Sequence, residues 1–153
     1  MFRPFLLVPI CLVIAIAPAT AELLQPEPGL PPERVVEIQL RSLQRNNVPT
    51  PDAGIKQTWL FAHPDNKRLT GPLARFTEMI KGPHYRMLLG HRSFSLTPIV
   101  RTATVAIFSV SVVTASGETV VFDWQMSKVG SGQFAGAWMT LGVSPPLRTK
   151  DAI

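Results

Sequence analysis

The chain has 153 residues, 15 Lys+Arg against 10 Asp+Glu for a formal net charge of +5, 15 prolines and one cysteine, Cys11. That length supports a single core, and a lone cysteine excludes a disulfide scaffold. The cations are dispersed and not interleaved with aromatic residues, which argues against nucleic acid as a partner.

Residues 1–21 read as a secretory signal peptide: Arg3, an apolar run from Phe5 to Ala17, then Ala19-Thr20-Ala21, with cleavage expected after Ala21. The run is too short, and too interrupted by Pro9, to serve as a spanning helix. A secreted or periplasmic protein without stable membrane insertion after cleavage is therefore expected. The remainder carries 14 Lys+Arg against 10 Asp+Glu, or +4. Between Lys56 and Arg101 there are eight cations and only two acids, Asp65 and Glu78. A solvated basic face is the plain reading, and an anionic ligand or membrane surface is the sharper one.

Residues 22–32, with four prolines and a glycine, are expected to form a linker. Pro31-Pro32 suits a helix start. From Glu33 to Arg45, Val36, Leu40 and Leu43 share one face, with acids early and arginines late. Asp52 is positioned to cap a short second helix carrying Ile55, Trp59 and Ala62, which stops before Pro64. Asp65 to Leu69 reads as a polar loop. A third helix follows Thr70-Gly71-Pro72, presents Leu73, Phe76 and Met79/Ile80 on one side, and ends at Gly82-Pro83. His84 to Leu89 reads as a further helical turn.

The period then changes to two. Phe94 and Leu96 alternate with polar residues in a strand that Pro98 confines to an end or an edge. In the next strand, Ala106, Phe108, Val110 and Val112 form one face, with Val105, Ile107 and Val113 on the other. Ser116-Gly117 marks a hairpin, after which Val120, Phe122, Trp124 and Met126 alternate with Thr119, Val121, Asp123 and Gln125. A glycine-rich turn leads to Ala137, Met139, Leu141 and Val143 as a single face, and residues 144–153 read as a polar tail. Helices first and an antiparallel meander after them define an α+β domain over residues 33–143.

The runs VVEIQLRSLQRN and WLFAHPDNKRLTGPLARFTEMIKGPHYRMLLGHRSF, with FDW and AWMTLGV later, resemble the uncharacterised family called domain of unknown function 4864. That resemblance implies the nuclear-transport-factor-2-like superfamily: a cone in which a curved antiparallel sheet wraps N-terminal helices, with a pocket at the wide end. It implies no activity, because the fold hosts enzymes and binding modules alike.

Several residues could carry chemistry in such a pocket. Asp123 is the one carboxylate inside a clearly alternating strand and Tyr85 the one phenol, so a base and an oxyanion donor for a cofactor-free isomerase or lyase are available. Alternation instead favours Asp123 on the polar face, paired with an arginine. His63, His84 and His91 lack the spacing and the carboxylate companions of a metal site, and neither a metal nor a cofactor is expected.

Binding is the favoured reading. Trp59, Phe76, Met79, Tyr85, Phe94, Trp124, Met126 and Trp138 are candidates to line a pocket for a small apolar ligand, each with core filling as its alternative. Arg75 and Arg86 could hold an anionic group at its mouth. Non-catalytic binding of a small ligand or a partner protein is expected. Val105, Ile107 and Val113 allow a homodimeric interaction module through the second sheet face.

Overall fold

The computed structural model describes residues 22–148. The signal-peptide expectation for residues 1–21 and the last five residues of the tail lie outside that range. Four helices come first: α1 (Pro32–Gln44), α2 (Ala53–Leu60), α3 (Pro64–Thr70) and α4 (Leu73–Lys81). A 3-10 turn at Arg86–Leu88 leads into β1 (Ser93–Arg101), β2 (Val105–Val113), β3 (Thr119–Lys128), β4 (Trp138–Val143) and the two-residue β5 (Leu147–Arg148). The strands form an open antiparallel sheet in the order β1-β2-β3-β4, with β5 also on β3. The architecture is α+β, with the helices packed on one sheet face, and it is consistent with a cone.

The core lies between the two layers. Val35, Val36, Leu40 and Leu43 of α1 are fully buried against Phe108, Val110, Phe122 and Trp124 of the sheet, and each such side chain contributes about 1.5–3 kcal/mol on leaving water. β2 and, up to Met126, β3 alternate between buried and partly or fully exposed positions. β1 is an edge strand, and its register with β2 slips between Pro98 and Val100 because proline has no N–H to donate.

The structure corrects several local expectations. Residues 64–70 are helical rather than a loop: Pro64 is the first helical residue, and the His63 ring accepts from the Asp65 amide at 3.1 Å. The proline that closes α2 thus also opens α3. Asp52 does not cap α2. It sits at φ 60° and bonds Lys81 Nζ at 2.6 Å and Asn46 at 3.0 Å. Asn46 does the work instead, its side-chain oxygen accepting from Ile55 N at 2.9 Å and its carbonyl from Gly54 N at 2.9 Å.

The segment before α1 is not a free linker. Leu24 exchanges two 2.8 Å hydrogen bonds with the buried Gln57 amide, and Pro26 is buried. The first residues of the tail continue β4 along β3: Ser144 bonds the Asp123 backbone, Pro145-Pro146 interrupts the ladder, and β5 resumes it.

In β4 the predicted single face is broken. The register passes from Gln125↔Gly142 to Met126↔Thr140, which leaves Leu141 unpaired as a bulge. Val143 then faces the helices opposite Trp124, whereas Ala137 and Met139 join a separate small cluster with Val129 and Phe134. The other edge of β4 is partly covered, because Phe61 O and His63 N bond Thr140.

Candidate functional site

Where the helices diverge from the β3–β4 end of the sheet they leave a cavity of about 190 Å³. Its floor is polar yet neutral. Gln39 of α1 is 1% exposed, and its side-chain oxygen accepts from Trp124 Nε1 at 3.0 Å and from Thr140 Oγ1 at 2.6 Å. Its amide nitrogen donates to Thr58 O at 3.1 Å. A polar side chain at this depth is tolerated because each of its atoms finds a partner. The walls come from Leu43, Phe76, Met79, Ile80 and Leu88. Tyr85, Val143, Leu69 and Leu141, together with the polar Asn66 and Thr70, line it toward solvent.

Tyr85 stacks on Phe122 at 6.5 Å and donates its hydroxyl to Val143 O at 3.0 Å, and burial pushes its phenol above the ordinary range. Among the described residues no charged side chain lines this cavity.

Four of the eight candidate pocket residues meet here: Phe76, Met79, Tyr85 and Trp124. The other four do not. Trp59 lies under the Lys67 ammonium at 4.2 Å. Phe94 packs edge-on against His91 and beneath Arg41. Met126 is in the closed core, and Trp138 is buried between Arg101 and Lys128. Alternation put Trp124 and Met126 on the same face, but only Trp124 borders the cavity.

Asp123 and Tyr85 are not brought together. Asp123 points to the outer face opposite Ser109, whereas its neighbours Phe122 and Trp124 point to the helices. Arg75 lies over Gly71 and borders a surface depression with Met79, Tyr85 and His84, outside the cavity itself. Arg86 is exposed on the 3-10 turn. Among the described residues no group of three or more His, Cys, Asp or Glu is placed to hold a metal ion. On the outer face, Val105 is 38% exposed, and Ile107 and Val113 are half-buried.

Gln39, Thr58 and Thr140 were not foreseen from sequence. Gln39 follows Val35 by one helical turn and so belongs to the buried face, a signal that a polar residue in an apolar stripe does carry. Thr140 faces inward in register with Met126, on the same parity as Trp138, and the Leu141 bulge then brings Val143 to that same face, which no period announces.

His91 buttresses the wall from behind. It is 2% exposed, its Nδ1 donates to Leu88 O at 2.7 Å, and Nε2 is buried without a hydrogen-bond partner. Burial lowers its pKa, and the Leu88 carbonyl offsets this only in part. The unfolded chain therefore takes up the proton first. The stability contributed by the neutral ring is fully present above about pH 6.5 and is lost as pH falls below it toward the folded-state value. Thermal melts of the wild type should decline between pH 7 and 5. In His91→Asn, whose amide can still donate to Leu88 O, that component of the decline should be missing. Parallel pH profiles would show that His91 is not its source.

A family profile described as domain of unknown function (DUF4864) matches residues 31–145. The chain belongs to this family. No curated protein and no solved structure matches the chain.

Proposed function

We propose that the protein is an exported cone-type member of the nuclear-transport-factor-2-like superfamily. In this reading its cavity binds, without transforming it, one small neutral molecule that is mostly apolar and carries a single hydrogen-bonding group. The superfamily reading is supported by helices lying on one face of an open antiparallel sheet with a cavity between the layers at one end. Export to the periplasm or the exterior is supported by the signal pattern of residues 1–21 and by the lack of cysteine after Cys11.

The observation that carries the ligand class is the lining itself, apolar walls over a neutral polar floor with no charge among the described residues. An ionised ligand would lose its hydration there and gain no counter-charge. A cavity of about 150 Å³ takes benzene, so 190 Å³ suits one ring with a small substituent. Among the described residues the one ionisable group on the wall is the raised Tyr85 phenol, which offers no base near neutral pH.

Calorimetric titration with phenol against benzoate tests this reading. Phenol should bind once per chain at about 1 mM or tighter, worth about −4 kcal/mol, and benzoate at least about a hundredfold more weakly, given the cost of burying an unpaired charge. Benzoate binding as tightly as phenol would overturn the neutral-ligand assignment.

A further inference from the structure

We infer that the face around the cavity mouth is a docking surface for an anionic lipid bilayer. Three observations converge on it. The first is apolar continuity. Leu69 is 80% exposed on α3, a helix that buries none of its residues, and the β4 bulge leaves Leu141 37% exposed. Both also line the cavity, so the exposed leucines continue its apolar wall to the outside, with Asn66 and Thr70 beside Leu69 at the mouth.

The second is charge. Residues 64–86, which hold α3, α4 and the 3-10 turn, carry five cations against Asp65 and Glu78, or +3. Arg68 is held by Asp65, and Lys81 by Asp52. Arg75 and Arg86 are exposed and enter no ion pair among the described residues. Exposed leucine beside unneutralised arginine is the pattern of a surface that sits at a headgroup boundary, with the apolar group below and the cation among phosphates.

The third is the position of the opening. The depression that Arg75 borders shares Met79 and Tyr85 with the cavity lining, so the basic face adjoins the mouth and an apolar molecule dissolved in the bilayer would have a short path to the cavity. A second copy of the chain is a poor occupant, because a two-fold contact through this face would set its excess positive charge against itself. Two leucines and a few cations make the docking reversible, without a spanning segment. Among the described residues no helix is long and apolar enough to cross a membrane.

The test is flotation of the isolated chain with vesicles of phosphatidylglycerol and phosphatidylcholine or of phosphatidylcholine alone. Binding to the anionic vesicles should exceed that to the neutral ones, and the excess should vanish in about 0.5 M NaCl, where screening is nearly complete. Arg75→Gln and Arg86→Gln should each lower the anionic excess about fivefold, and Leu69→Asn about tenfold or more. All three positions are exposed or half-covered, and circular dichroism confirms that the variants fold. Vesicle binding unaffected by these changes, or equal on both vesicle types, would overturn the proposal. Retention on polyglutamate without vesicle binding would replace the membrane by an acidic protein partner. Phenol binding is read separately, so neither outcome depends on the ligand.

Discussion

Gly54→Ala is expected to cost more than about 3 kcal/mol and to lower the melting temperature by about 10 °C or more, or to prevent soluble expression. Gly54 is where α2 crosses α1 at closest approach. A Cβ there would fall 2.0 Å from the Ser42 carbonyl oxygen, 2.7 Å from its carbon and 2.8 Å from the Asn46 Cα. All three are backbone atoms, so no side-chain rotation relieves the overlap and the helices must separate. Separation would also break the Gly54 N to Asn46 O bond and draw Thr58 away from Gln39, so the cavity floor fails together with the helix contact. Gly130→Ala is the matched control, because its Cβ would meet nothing within 4 Å. A Gly54→Ala melt within about 2 °C of wild type would mean that the two helices do not approach as described.

Gln39→Leu should cost about 3 kcal/mol although leucine nearly fills the same volume. The loss comes from what is left behind. The Trp124 indole keeps only Thr140 Oγ1 at 3.2 Å, and that hydroxyl, deprived of Gln39, has Met126 Sδ at 3.4 Å as its remaining acceptor. Thr58 O retains the Phe61 amide at 3.2 Å but loses its side-chain donor. Gln39→Glu separates shape from hydrogen bonding. It preserves the acceptor for Trp124 and Thr140 but sets a second oxygen against Thr58 O and buries a charge, so it should be less stable than the leucine variant at pH 7. Chemical denaturation of the three proteins gives the order directly. A leucine variant as stable as wild type would show that the network contributes nothing net.

Much of the fold was legible because its signals are local. The face of α1 and the alternation of β2 and β3 follow from side-chain period alone, and Pro98 on the edge strand follows from its missing donor. What escaped depends on tertiary contact or on a residue serving two elements. Pro64 ends one helix and begins another, and a one-sided reading loses α3. Asn46, seven residues before the start of α2, caps it only because the chain doubles back. The Leu141 bulge puts Val143 on the same inner face as Thr140 and defeats a parity argument.

The site was half legible for the same reason. Phe76, Met79, Tyr85 and Trp124 were identifiable as large apolar groups, but aromatic character does not distinguish them from Trp59, Phe94 and Trp138, which cover cations or lie between them. Asp123 drew attention as a carboxylate within an apolar strand, and strand parity then placed it on the far face.

The three indoles allow the central claim to be tested in one experiment, because Trp124 lines the cavity whereas Trp59 and Trp138 do not. The phenol titration followed by 1H–15N NMR reads all three indole N–H groups and the Gln39 side-chain amide. The account predicts that the Trp124 indole and Gln39 amide signals shift together and saturate at a single dissociation constant, while those of Trp59 and Trp138 stay in place. Saturating shifts at Trp59 or Trp138 with Trp124 unmoved would contradict it.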